Sequence, residues 1–162
     1  MGTEIRHPKT EDIEALCALE DACFPPEEGA SHESVKNRVS AYPECYWVLT
    51  LDGEIAGHVN GPRTTERDLL DPMYTDTSCH RRDGPWQMIF SVATLPKFQG
   101  RGLASMLLRR VISDCRERGV KGIVLTCHER LLPFYARFGF KDEGMSTSEH
   151  GGSSWHQMRL LF

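Results

Sequence analysis

The stretch Met88–Cys115 constrains the fold more than any other part of the chain. Met88-Ile89-Phe90-Ser91-Val92-Ala93-Thr94 carries no charge, and Pro96 follows it. Such a run predicts one central strand, buried on both faces. Gln99-Gly100-Arg101-Gly102-Leu103-Ala104 then leads into a segment where Leu103, Leu107 and Val111 recur every fourth residue, with Leu108, Ile112 and Cys115 beside them. Arg109, Arg110, Asp114 and Glu117 fall on the other side, which is the pattern of an amphipathic helix. Arg116 and Arg118 form its basic last turn, and Gly119 suits the C′ position. A strand, two glycines and a helix start in that order make an anion site. Gly100 and Gly102 remove side chains where amides must approach a ligand. The helix start adds N–H groups without intrahelical partners and a partial positive charge, and Arg101 is a candidate cation.

The remaining punctuation predicts a mixed α/β order, β-α-α-β-β-β-α-β-α-β-β. Ile5-Arg6-His7 opens as a strand closed by Pro8. Thr10 caps a helix bearing Ile13, Leu16 and Cys17, and Phe24-Pro25-Pro26 stops it. Ser31 caps a second helix with Val35 and Val39, which ends before Pro43. Cys45–Leu51 and Glu54–Asn60 read as strands joined through Asp52-Gly53, a tight-hairpin pair. Gly61 to Pro85 is a polar connection of about 25 residues, long enough for a lid or binding loop. Gly122–Cys127 reads as a buried strand, Phe134–Phe138 as a short helix led by Pro133, and Phe140 onward as a hairpin closed by Trp155–Leu161. With no repeat or linker in 162 residues, residues 1–162 are expected to form one domain.

Composition excludes several function classes. The net charge of −4 lacks the basic stripe of a nucleic-acid reader. No apolar run approaches the roughly 20 residues of a membrane span, and the N-terminal residues lack a secretory apolar core. The six cysteines form no Cys-x-x-Cys pair, and the seven histidines form no His-x-x-x-His pair. No metal site is therefore expected, and reduced cysteines in a cytoplasmic protein are.

Two phosphate motifs fail at the glycine loop. A dinucleotide fingerprint needs a third Gly or Ala where Ser105 stands, and it belongs after a first strand; a nucleotide P-loop needs Gly-Lys-Ser/Thr. The pattern Gln/Arg-x-x-Gly-x-Gly/Ala is met by Gln99, Gly102 and Ala104. Before it stands Val-Ala-Thr-x-Pro, and after it come an apolar helix, a buried strand and Leu132-Pro133-Phe134-Tyr135-Ala136-Arg137-Phe138-Gly139-Phe140. Over nearly its full length the chain resembles the GNAT superfamily of N-acetyltransferases. The Leu132–Phe140 string, with Leu125-Thr126-Cys127 and Tyr42-Pro43-Glu44-Cys45, is similar to the arylalkylamine (serotonin) branch.

The resemblance implies the acyl-CoA N-acyltransferase fold, a mixed central sheet flanked by helices. In it two parallel strands, here ending at Thr94 and Cys127, splay apart around acetyl-CoA as cosubstrate. It implies pantetheine on the strand edge at Val92, Ala93 and Thr94, and pyrophosphate on Gln99, Gly100, Arg101, Gly102, Leu103, Ala104 and Ser105, with Phe134 nearby. An amide near Val92 would polarise the thioester carbonyl, and the amine would attack the thioester directly. Tyr135 matches the family tyrosine beside the CoA sulfur and is the candidate general acid. The branch carries two histidines where this chain has Trp86 and Met88, so that pair does not carry over. Glu28, His80 and His128 are the candidate bases. Cys127-His128 lacks the third orienting group of a nucleophilic triad.

Phe24 resembles an acceptor-pocket phenylalanine, and Trp86 and Met88 are candidate apolar wall, whereas Trp47, within a strand, reads as core. Glu27, Glu28 and the loop acids favour a cationic acceptor. The expected partner is thus a small arylalkylamine or polyamine, with no nucleic acid or membrane, and the protein a monomer or homodimer. A peptide or protein acceptor, or a regulatory domain that binds acetyl-CoA without turnover, are the alternatives.

Overall fold

The computed structural model describes residues 2–162. In chain order these form β1 (Thr3–Arg6), α1 (Ile13–Cys23), α2 (His32–Ala41), β2 (Tyr46–Leu51), β3 (Glu54–Asn60), β4 (Arg63–Thr64), β5 (Trp86–Ile89), β6 (Ser91–Thr94), α3 (Leu103–Glu117), β7 (Gly122–Cys127), α4 (Leu132–Ala136), β8 (Lys141–Met145) and β9 (His156–Leu161). Among them no helix is long and apolar enough to cross a membrane, and all six cysteines are free.

Two sheets share the chain: β1-β2-β3-β6, antiparallel throughout, and β4-β5-β7-β9-β8. In β2 the pleat sends Trp47 and Leu49 to one face, where they join Leu107, Leu108 and Val111 of α3. Tyr46 and Val48 point the other way, onto Leu16 and Leu19 of α1 and Val35 and Val39 of α2. Both faces of this sheet are therefore covered, which is why Tyr46–Leu49 is an unbroken apolar run. Asp52 (φ 50°) and Gly53 (φ 84°) lie in the left-handed region, as a two-residue hairpin turn requires. Ser31 accepts from the Ser34 N–H at 3.0 Å, the helix cap expected of it.

The expected central strand is in fact two. β5 pairs in parallel with β7, from Trp86↔Gly122 to Ile89↔Leu125, while β6 pairs with β3, from Ser91↔Asn60 to Thr94↔Gly57. Phe90 is the crossing point, its N–H bonded to the Asn60 carbonyl at 2.8 Å. Backbones approach so closely here that a Cβ on Gly61 would stand 2.0 Å from the Met88 carbonyl oxygen. Beyond Ile89 the chain leaves β7 for the other sheet, and a cleft opens between β6 and the end of β7.

Other boundaries move. Thr10–Asp12 is a single 3-10 turn rather than the cap and first turn of α1, because the Asp12 carboxylate accepts from the Lys9 N–H (2.7 Å) and binds Arg6. The short helix runs Leu132–Ala136, with Pro133 inside its first turn, rather than Phe134–Phe138. The long polar connection is no free loop: β4 and two 3-10 turns organise it, and it buries Leu69, Met73 and Tyr74 against Met88 and Val124.

Candidate active site

Two adjoining cavities follow the cleft. The smaller, about 190 Å³, lies at the start of α3 and is lined by Thr94, Phe98, Gln99, Gly100, Gly102, Leu103, Ala104, Ser105 and Phe134. Gly100 (φ 82°) and Gly102 (φ 76°) hold left-handed conformations, which turn the chain there. The first helical bond of α3 runs from the Met106 N–H to the Gly102 carbonyl (3.1 Å), so the amides of Leu103 to Ser105 have no intrahelical acceptor. Thr94 Oγ1 is buried without a partner at the same place. Free amides, a hydroxyl and a helix dipole fit a diphosphate.

β6 ends its sheet, so one of its edges is free. The Leu95 N–H bonds to the Ala56 carbonyl at 2.8 Å. By antiparallel alternation Ala93 and Ser91 then also turn their amides to β3, and Val92 and Thr94 turn theirs to the free edge. This corrects the expectation at Ala93, whose polar backbone serves the sheet and whose side chain is buried beside α1. On the free side the Thr94 carbonyl accepts from Gln99 Nε2 and from Cys23 Sγ, both at 3.2 Å.

The larger cavity, about 360 Å³, includes Phe24, Glu28, Val92, Cys127, His128 and Tyr135 in its walls. Nearby residues of β6 (Val92, Thr94) and of α4 (Phe134, Tyr135) line one cavity each, so the two lie side by side along the cleft. Glu28 and His128, two of the three candidate bases, meet: Glu28 Oε1 lies 2.7 Å from His128 Nε2. The carboxylate can only accept, so Nε2 is the donor in this contact; in the neutral ring Nδ1 then carries the lone pair. Trp155 stacks on the His128 ring at 4.2 Å, and the Glu28 carbonyl accepts from His150 Nε2 at 2.8 Å. The turn after α1 and the 146–155 segment thereby fix the pair from both sides. Burial raises the Tyr135 phenol above its ordinary value, which keeps it a proton donor. Burial also pushes the Cys127 thiol up to about 11, so thiolate is scarce at neutral pH, in line with the absence of a nucleophilic triad.

His80, Trp86 and Met88 do not join the cavity. The His80 ring packs on Tyr42, its Nδ1 accepts the Arg63 N–H at 3.1 Å, and its Nε2 faces Glu44 at 3.6 Å. Burial, opposed by Glu44, lowers its pKa. Cys45 lies beside this pair, but with Nδ1 accepting and Nε2 protonated the neutral ring has no lone pair for a metal. Met88 is fully buried against Leu69, Met73, Tyr74 and Val124, and Trp86 lies under the guanidinium groups of Arg67 and Arg159. Arg101 is not part of the smaller cavity's wall and sits 5.5 Å over the Phe98 ring. Sequence reasoning missed Arg38, Tyr74, Phe90, His150 and Trp155, which also line the larger cavity. The one available signal was Arg38, which falls on the Val35–Val39 stripe of α2.

A profile of the acetyltransferase (GNAT) family matches residues 13–140. The chain belongs to this family. Among solved structures, the loading GNATL domain of CurA from Lyngbya majuscula is similar at a TM-score of 0.86 and 20% identity, covering 99% of this chain and 98% of that one. The GphF GNAT-like decarboxylase in complex with isobutyryl-CoA is similar at 0.85 and 21% identity, covering 98% of each chain. A ribosomal-protein-alanine N-acetyltransferase from Brucella melitensis gives 0.72 and 19% identity, covering 98% of this chain and 99% of that one. At these identities the likeness speaks for the fold.

Proposed function

We propose that residues 1–162 act as one N-acetyltransferase domain that moves an acetyl group from acetyl-CoA to a primary amine. The observation that carries this reading is the placement of two neighbouring cavities along β6 and α4, with free α3 amides at one and Glu28–His128 and Tyr135 at the other. The amides of Gly102 to Ser105 hold the diphosphate, and the free edge of β6 holds the pantetheine arm. When bound, acetyl-CoA supplies an activated acyl group. The Val92 N–H donates to the thioester oxygen as charge develops there. His128 Nδ1 removes the proton that keeps an alkylammonium from attacking, and Glu28 stabilises the imidazolium. Tyr135 holds a proton for the departing sulfur. The pairing of Glu28 with His128 supports these two as the acid–base machinery over His80.

The walls support an arylalkylamine acceptor. Phe24, Tyr74, Phe90 and Trp155 offer flat apolar surface, and Arg38 and Arg130 in the same cavity repel a polyamine. The free cysteines suit a reducing cytoplasm. Purified protein with acetyl-CoA should release CoA thiol on addition of tryptamine or phenethylamine. Release with peptides alone would move the acceptor to a protein, and no release above the amine-free rate would overturn the reading.

A second reading is favoured by one observation, the end-to-end likeness to the GphF GNAT-like decarboxylase. In it the cavity removes carbon dioxide from a carboxylated acyl-CoA and returns a proton to the carbon left behind; the thioester stays intact, so carbon dioxide appears without an amine and without free thiol.

A further inference from the structure

We infer that the larger cavity recognises a carboxylate as well as an amine, and that Arg38 is the group that recognises it. The inference deepens the acyl-transfer reading and rests on it for the role of the amine. Arg38 projects from the buried stripe of α2 and is only 3% exposed. Its Nη1 donates to Asn60 Oδ1 at 3.0 Å and its Nη2 to the Tyr74 carbonyl at 2.9 Å, both neutral acceptors. Its Nε is buried without a partner, and among the described residues no carboxylate forms an ion pair with it. A buried charge without a counter-charge is costly, and proteins keep one where a ligand supplies the opposite sign.

The surroundings define that ligand further. The guanidinium lies 4.8 Å over the Phe90 ring. From Phe90 a series of rings continues through Tyr74 (4.5 Å), His150 (4.2 Å), Trp155 (6.1 Å) and His128 (4.2 Å), ending at Glu28. An aromatic wall therefore joins a fixed cation to the proton-accepting pair. Its complement is a flat apolar body with an amine toward His128 and a carboxylate toward Arg38, as in an aromatic amino acid. Arginine's planar fork suits a carboxylate better than a lysine ammonium would. The same anion can also arrive on the acyl side, as the free carboxylate of a malonyl thioester.

Matched acceptors separate these sources: tryptophan against tryptamine and tyrosine against tyramine with acetyl-CoA, and malonyl-CoA alone with carbon dioxide release as readout. In the wild type the carboxylated acceptor of each pair should have the higher kcat/KM. Arg38→Gln should lower that ratio by about 10²-fold, and Arg38→Lys should restore part of it. Arg38-dependent carbon dioxide release from malonyl-CoA, without amine turnover, would uphold the carboxylate site and defeat the acyl-transfer reading. A ratio and a decarboxylation rate both unmoved by Arg38→Gln would overturn the inference. Should the glutamine variant not fold, calorimetry on the wild type with CoA decides: N-acetyltryptophan should bind more tightly than N-acetyltryptamine, and equal binding would overturn the site.

Discussion

Glu28 and His128 stand 100 positions apart in the chain and meet at 2.7 Å in the wall of the larger cavity. In the proposed chemistry this contact orients the His128 ring and sets a negative charge beside the imidazolium that proton removal would create. His128→Ala should lower kcat by about 10²–10⁴-fold with little change in acetyl-CoA affinity. Glu28→Gln, which keeps shape and loses charge, should lower kcat by a smaller factor. Steady-state kinetics on both variants check this, and wild-type turnover in either removes the pair from the chemistry.

Tyr135 lies between the cavity and the apolar core, in edge contact with Phe134 and Phe140. Tyr135→Phe keeps that packing and removes the proton. It should cut kcat by about 10²-fold or more while leaving the thermal midpoint near that of the wild type. Because burial raises this phenol, the alkaline fall in rate due to it should begin only above pH 10.0, its ordinary value. A Tyr135-dependent fall nearer neutrality would contradict the assignment.

Gly102 has a left-handed backbone and open space around its missing Cβ, so a side chain there meets strain and ligand rather than protein. Gly102→Val should carry about 1–3 kcal/mol of backbone strain and weaken CoA binding in calorimetry by 10-fold or more (an order-of-magnitude figure). Gly119, equally left-handed (φ 74°) but at the far end of α3, provides the contrast. Gly119→Ala should destabilise by about 1 kcal/mol with unchanged CoA affinity.

Glu20 makes a stability prediction. Desolvation at its buried site pushes the carboxyl up, but His58 Nε2 at 3.1 Å and the Ala30 N–H at 2.8 Å outweigh it and bring the group to about 2. A depressed folded-state pKa means stability that is fully present above the ordinary 4.5 and is lost as pH falls through 4.5 toward 2. Glu20→Gln should therefore cost about 3–5 kcal/mol at neutral pH, and its gap from wild type should narrow across that acid window in denaturant titrations. A gap independent of pH from 7 to 2 (roughly the whole acid range) would contradict the linkage.

Much of the cleft was legible from Gln99 to Ser105 because glycines and a helix start have direct physical consequences in sequence. Tyr135 was legible only through its surrounding motif. The break at Phe90 was not, since nothing at that residue differs from strand sequence; the division comes from two partners, β7 and β3, claiming the two halves. Gly61, two residues before a strand and pressed against Met88, was its only local trace. His80 and His128 look alike as loop histidines. One folds onto Glu44 and the other onto Glu28, contacts 36 and 100 positions away that no local pattern encodes. Arg38 was readable as a charge on an apolar stripe, a conflict that marks a site more often than an error.

In the proposed complex the α3 amides grip a diphosphate and so set an acyl thioester beside Tyr135. A crystal structure with acetyl-CoA tests it most directly. The diphosphate should lie on the amides of Gly102 to Ser105, the pantetheine along the free edge of β6, and the thioester at Val92 and Tyr135. A diphosphate bound elsewhere, or an acyl group turned away from the cavity of Glu28 and His128, would contradict it.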